Sequence, residues 1–170
     1  AVLEATFVVY IVRPFNTHRQ AEIISAPKVY GFDTGFVCYY KGWFTLRQSD
    51  RGVLWEHFIL NELIARLLSR EIRYWRDKRG HEVDFIVFSK RKEIIAIECK
   101  WESSSFTPNS LSAFRRHYPQ GENFVVAHDI DRAFTRNYRG VLVRFINLNQ
   151  LIQKIITEDQ IESSFSGDLS

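Results

Sequence analysis

The sequence predicts an α/β fold in which a mixed β-sheet is flanked by helices. Three observations carry this reading. Apolar residues recur at helical spacing over 52–68, with Leu60, Leu63, Ile64 and Leu67 forming a stripe. Strand-like runs follow at 72–76, 82–88 and 94–100, the last two separated by the polar loop Ser89-Lys90-Arg91-Lys92-Glu93. A helical pattern over 108–117, closed by Pro119, then precedes strands at 123–127 and 141–145 and a last helix over 148–157. A helix therefore feeds a β-meander, and helices alternate with strands beyond it.

Upstream, the apolar stretch 3–12 is broken by Arg13, Pro14, Asn16 and Thr17, as expected of a strand or short helix leading into a loop. Residues 28–32 (KVYGF) predict a short strand, and Asp33-Thr34-Gly35 a turn or helix cap before Phe36, Val37 and Tyr40. Residues 1–45 are expected to be an N-terminal appendage or the end of a preceding domain, 46–157 the main domain, and 158–170 a polar, frayed tail. A chain starting at Ala1 reads as a piece of a longer protein.

With 170 residues, 45% of them hydrophobic and 15% aromatic, the chain can build a packed core in one domain. Its 23 basic and 20 acidic residues leave a formal charge of +3, so attraction to nucleic acid is mild and confined to patches. Cys38 and Cys99 form no CxxC pair, which argues against a zinc knuckle or a disulfide scaffold and makes a reducing cytoplasm the expected location. No apolar run approaches the roughly 18 to 20 residues of a membrane span. Residues 7–12 lack the basic flank and cleavage signal of a secretory peptide.

Alternation along the second strand puts Glu82, Asp84 and Ile86 on one face and Val83, Phe85 and Val87 on the other. In the third, Ala96, Glu98 and Lys100 share a face opposite Ile95, Ile97 and Cys99. If these strands pair through their short loop, Asp84 and Glu98 become neighbours, with Lys100 about 7 Å further along. Two like charges about 5 Å apart repel by roughly 3 kcal/mol at an effective dielectric of about 20, so the pair calls for a cation. Magnesium takes one or two carboxylates plus waters and substrate phosphate, which suits Asp84 and Glu98 with the Cys99 carbonyl as a further ligand. Lys100 would hold a nucleophilic water or offset charge on a phosphorane-like transition state. Glu56 lies four residues before Leu60 and seven before Leu63, on the inward face of its helix, where a carboxylate needs a partner. Charged residues on a strand are more often its solvated face. The acid inside an apolar strand, the second acid on the next strand and the inward Glu56 together favour a metal-type site.

The order of a helix with Glu56, a strand with Gly80-His81-Glu82-Val83-Asp84-Phe85 and a strand ending Ile97-Glu98-Cys99-Lys100 resembles the PD-(D/E)xK nuclease superfamily, the restriction-endonuclease-like fold. More narrowly, the chain resembles an uncharacterised domain at the C-terminus of bacterial and archaeal AAA-type P-loop ATPases. Pro27-Lys28-Val29-Tyr30, Asp33-Thr34-Gly35, Gly52-Val53-Leu54-Trp55-Glu56 and Asn61-Glu62-Leu63 carry that match, together with the two strands. The resemblance implies Asp84 and Glu98 as metal ligands for Mg2+ or Mn2+, Lys100 at the lysine position and Glu56 as the helix acid. Val83 stands where the superfamily has proline, and Glu82 is an extra acid that joins or supports the site. The implied activity is phosphodiester hydrolysis of DNA or RNA, and the implied partner an ATPase domain of the same full-length protein. No GxxxxGK[ST] loop occurs, so no ATP site is expected in this chain. The alternative is a non-catalytic module that recognises nucleic acid or protein, since the fold also hosts inactive binding domains.

His18, His57, His81, His117 and His128 show no metal-ligand spacing and are expected to be surface or structural, with His81 near the strand entrance. Trp55, Trp75 and Trp101 are expected as core or rim aromatics rather than a base-stacking platform. Arg70, Arg73, Arg76, Lys78 and Arg79, with Lys90, Arg91, Lys92, Arg115 and Arg116, form the basic set from which phosphate contacts or a merely solvated surface would come.

Overall fold

The computed structural model describes residues 2–15, 26–67, 71–89 and 92–165. In chain order the elements are α1 (Val2–Ala5), β1 (Val9–Pro14), β2 (Lys28–Gly31), α2 (Thr34–Lys41), α3 (Gln48–Arg66), β3 (Arg73–Arg76), β4 (Glu82–Phe88) and β5 (Ile94–Lys100). After a 3-10 turn at Ser103–Ser105 come α4 (Asn109–His117), β6 (Glu122–Ala127), β7 (Phe134–Tyr138), β8 (Val141–Ile146) and α5 (Leu148–Phe165).

The apolar stripe of α3 does what its spacing predicts: Ile59, Leu60 and Leu63 have no exposed surface and Leu67 is buried beside them. The helix starts earlier than its stripe because Asp50 accepts the Arg47 backbone N–H at 2.9 Å, closing a capping interaction ahead of Gly52. Asp33 caps α2 from the opposite position, as the N-cap residue accepting from Phe36 N–H at 2.7 Å.

The strands form one eight-stranded mixed sheet in the order β2-β1-β3-β4-β5-β6-β8-β7. β3, β4 and β5 are antiparallel, while β6 runs parallel to β5 and β8 parallel to β6. β1 lies parallel to β3, and β2 antiparallel to β1, so strands from before residue 45 continue the same sheet. One face packs on α3 and α5 through Leu60, Leu63, Leu151 and Ile155 against Phe85, Ile97 and Val126. The other packs on α4 through Leu111 and Phe114 against Val83, Ile86, Val125 and Val143.

Two elements depart from the sequence reading. β7 is an edge strand whose residues are exposed or half-buried, and its sequence FTRNY carries no apolar alternation to announce it. Helix α5 runs to Phe165 rather than ending at 157, because 157–165 contains neither Pro nor Gly to stop it.

A third departure matters more. Strict alternation fails in β4: Arg73 faces Ile86 while Trp75 faces Val83, so two steps of β3 oppose three of β4. The extra residue is a β-bulge at Asp84 and Phe85. Consequently Val83 and Ile86 both point into the α4-side core, and Phe85 and Val87 into the α3-side core. The expected grouping of Asp84 with Ile86 is thereby corrected.

The link from α4 to β6 is held by a buried arginine. Arg115 donates to the carbonyls of Tyr118 (3.2 Å), Ile94 (3.1 Å), Glu122 (2.6 Å) and Gln120, and to Asn123 Oδ1 (2.6 Å). Gly121 sits in this knot at φ +112°, where a Cβ would stand 1.9 Å from the Ile94 carbonyl oxygen. Gly121→Ala should therefore destabilise the protein by roughly 3 kcal/mol. The expected readout is a lower urea midpoint with an unchanged slope; a wild-type midpoint would contradict the close approach.

Candidate active site

The β-bulge delivers Asp84 to a fork in the sheet. Regular pairing of β4 with β5 ends at Phe85–Ile97; continued by one step, it would set Asp84 opposite Glu98. Instead the strands part, and Asp84 Oδ2 accepts the Cys99 backbone N–H at 2.8 Å. Lys100 then bridges the two acids, its Nζ 2.8 Å from Glu98 Oε2 and 3.7 Å from Asp84 Oδ2.

On the other side of Asp84 stands Lys28, from β2. Its ammonium lies 3.1 Å from Glu56 Oε1 and 4.0 Å from Asp84 Oδ1, and it pairs closely with Glu82 Oε1. The Tyr74 ring lies beneath it, 5.4 Å from the nitrogen. Tyr30, two residues on and on the same strand face, donates its hydroxyl to Glu56 Oε1 at 2.5 Å. Arg76 holds the other oxygen of Glu82. The inward Glu56 thus finds the partner its position demands.

All five site residues named from the sequence, Glu56, Glu82, Asp84, Glu98 and Lys100, lie in this one network. Lys28 and Tyr30 were not among them. Their signal was the alternation of a basic and a hydroxyl-bearing residue in KVYGF, which marks a shared face but not the strand's place two positions from β3.

Burial raises the pKa of both central acids. Asp84 is pushed up by desolvation and by Glu56, against the pull of Lys100, Lys28 and the Cys99 N–H. Desolvation and Asp84 raise Glu98, against Lys100. Burial pulls the Lys28 and Lys100 ammonium groups down, but the surrounding carboxylates reverse this and hold both above the ordinary lysine value. Both lysines are therefore cations at neutral pH, not bases. Desolvation and Asp84 also push the Cys99 thiol up, which keeps it protonated and removes it as a nucleophile.

One carboxylate oxygen has no use within the protein: Glu98 Oε1 is buried without a hydrogen-bond partner among the described residues. An orphaned oxygen beside Asp84 fits a divalent cation. Among the described residues no three His, Cys, Asp or Glu side chains converge as a ready-made cage. An ion here would draw on Asp84 and Glu98 and otherwise on water and substrate oxygens, as magnesium does.

The network opens onto a cleft of ≈ 390 Å³ lined by Gly52, Glu56, Asp84, Lys100, Trp101 and Glu102. A larger cleft of ≈ 580 Å³, lined by His81, Asn109, Arg116, Tyr138 and Arg139, contains none of the four principal site residues. Trp101 lines the smaller one, with Trp55 packed against it. Trp55 donates to the Val126 carbonyl at 3.0 Å and meets Trp101 edge-on, while Trp101 stacks on His128 at 3.8 Å. Trp75 is wholly buried. His81 is held by Asp77 at 2.7 Å, and His57 packs edge-on against Tyr30. Of the basic set, Arg115 is a buried staple rather than a phosphate contact, and Arg73 and Arg76 pair with Glu71 and Glu82. Arg70, Lys90, Arg91 and His18 lie outside the described residues.

The raised carboxylate pKa values set the sign of a pH effect. Each acid binds its proton more tightly in the folded state, so its stabilising contribution is complete below the ordinary carboxylate pKa. That contribution is lost as pH rises through the raised folded value. Asp84→Asn should gain stability relative to wild type as pH rises from acid to neutral, measured by metal-free thermal unfolding across that range. A difference independent of pH would contradict the raised values.

Residues 51–151 match the family model described as Domain of unknown function (DUF4143). Among solved structures, the chain is similar to one in the refined half-complex from a tetradecameric assembly of Thermococcus gammatolerans McrB AAA+ hexamers with bound McrC. That similarity has a TM-score of 0.46 and 11% sequence identity, and covers 62% of this chain and 32% of that one. This chain spans about a third of that neighbour's length. No curated protein matches the sequence.

Proposed function

This chain belongs to the DUF4143 family of domains of unknown function, and we propose that it is a Mg2+- or Mn2+-dependent phosphodiesterase module acting on DNA or RNA. The observation that carries the reading is the buried Glu98 Oε1, without a hydrogen-bond partner among the described residues, on an acid that Lys100 joins to Asp84, while Lys100 and Asp84 themselves line the cleft. Asp84 and Glu98 would hold the ion. When bound, it supplies Lewis acidity at the scissile phosphate. Lys100, a cation already directed at both acids, offsets charge developing on the phosphoryl oxygens and orients the attacking water. Glu56, fixed by Tyr30 and Lys28, shapes the far wall of the cleft and assists from there.

The succession of α3, antiparallel β3-β4-β5, α4 and parallel β6 supports a restriction-endonuclease-like core as part of the same proposal. So does the placement of the motif acids on adjacent strands. The resemblance carried by Pro27-Lys28-Val29-Tyr30 and Gly52 to Glu56 supports an AAA-type ATPase domain as the partner within the full-length protein.

A second reading has its own observation. Lys28, Lys100 and Arg76 pair with all four acids of the network, as a structural ion-pair cluster in a non-catalytic recognition module would. Calorimetric titration of Mg2+ and Mn2+ into wild type and Asp84→Ala separates the two. The enzymatic reading expects saturable binding that disappears in the variant, with loss of cleavage in a screen of DNA and RNA forms and an intact fold. Cleavage retained by Asp84→Ala would refute it, and salt-dependent nucleic-acid binding indifferent to both metal and variant would favour the recognition module.

A further inference from the structure

The larger cleft, of ≈ 580 Å³, has a wall chemistry unlike that of the acidic network. Arg116 of α4 and Arg139 of the β7–β8 turn line it, Asn109, Ser112, Tyr138 and His81 add hydrogen-bonding groups, and no Asp or Glu contributes to it. Asn109, Ser112 and Arg116 stand at i, i+3 and i+7 along α4 and so share a helix face, while Leu111 and Phe114 are buried in the core. Both arginines are exposed, and neither has an ion-pair partner among the described residues. Arg73, Arg76 and Arg115, by contrast, are each held by an acid or by carbonyls.

Arg139 is displayed by a fixed turn. With Gly140 it makes the two-residue connection between β7 and β8, at φ values of +53° and +93°. Such a turn needs positive φ at both positions and ordinarily takes Asn-Gly or Gly-Gly. An arginine there holds a left-handed backbone that its Cβ disfavours, so turn preference does not account for it. Asn137 Oδ1 accepts the Gly140 N–H at 2.8 Å, and Tyr138 packs edge-on against Phe106 at 5.6 Å, which ties the turn to the sheet. His81, held by Asp77, immediately precedes Glu82, so the wall of this cleft continues into the strand that carries the candidate site.

We propose that this cleft binds the phosphodiester backbone of a nucleic-acid strand, with Arg116 and Arg139 as its phosphate contacts and Asn109 and Ser112 as neutral donors beside them. This rests on the reading that nucleic acid is the substrate and adds where a strand is gripped away from the metal site. Guanidinium forks match phosphate oxygens in pairs, and a concave wall with cations and no acid focuses positive potential. A formal charge of +3 gives the whole chain little general attraction, so such a local concentration has to supply it. Both arginines bind and take no part in bond cleavage.

The test is fluorescence anisotropy of labelled single-stranded and duplex DNA and RNA oligonucleotides, titrated with the full chain in EDTA across a salt series. EDTA keeps the metal site out of the measurement. The variants are Arg116→Ala, Arg116→Lys, Arg139→Asn, which suits the left-handed backbone, the double variant of Arg116→Ala with Arg139→Asn, and Arg132→Ala as an exposed arginine outside the cleft. Thermal unfolding verifies each fold, and the single variants decide should the double fail to fold. Wild type and Arg132→Ala are expected to bind alike. The double variant is expected to bind roughly tenfold more weakly or worse, with the salt slope shallower by about one for each arginine removed, and Arg116→Lys to keep most of the affinity. Wild-type affinity and slope in the double variant overturn the inference while leaving the metal-dependent reading standing. So does a loss confined to competition by inorganic phosphate, which would make the cleft a small-anion site. Absence of oligonucleotide binding by wild type overturns it as well, and the Mg2+ and Mn2+ titration judges the metal site independently in every case.

Discussion

The hydrogen bond from the Cys99 amide to Asp84 Oδ2 is the contact on which the arrangement of the site depends. It stands where β4 and β5 leave regular register, and it satisfies a strand amide that the parting would otherwise strand in the interior. The β-bulge at Asp84 and Phe85 makes it possible by turning the carboxylate away from the face that regular alternation assigns it. Without the bulge, Asp84 would follow Ile86 toward α4. The acid, Lys28 and Glu56 would then be separated by the sheet.

Around that fixed acid the chain concentrates charge in its interior. Four carboxylates and three cations meet from β2, α3, β3, β4 and β5, with Glu98 and Asp84 the most deeply buried of the acids. Burial of this kind costs stability unless each charge is paired. Among the described residues that pairing leaves one buried carboxylate oxygen, Glu98 Oε1, without a hydrogen bond. A packed core on both faces of the sheet supplies the rigidity. Phe85, Ile97 and Leu63 lie on one side, Ile86 and Phe114 on the other, all without exposed surface.

Much of this was legible in the sequence where the signals are local. Strands β4 and β5 fall where their apolar runs predict, and α3 follows its stripe of Leu60, Leu63 and Leu67. Glu56, Asp84, Glu98 and Lys100 were identifiable because an acid in an apolar strand or on a buried helix face is costly and so conspicuous. What escaped is non-local. The bulge depends on how β3 pairs with β4, which no alternation pattern reveals. The reach of Lys28 depends on β1 joining β3 and β2 joining β1, across a sequence separation of 28 residues to Glu56. β7 carries a polar edge sequence with nothing to set it apart from a loop.

The most direct test of the claim that Asp84 and Glu98 form a divalent-cation site is anomalous diffraction from crystals of the wild-type chain grown or soaked with Mn2+. The account predicts one anomalous peak within coordination distance of both carboxylates, with Glu98 Oε1 among the ligands and the Lys28 ammonium still seated between Glu56 and Glu82. An ordered site without such a peak, with Lys100 closed on Glu98 and Asp84 as in the metal-free network, would contradict it.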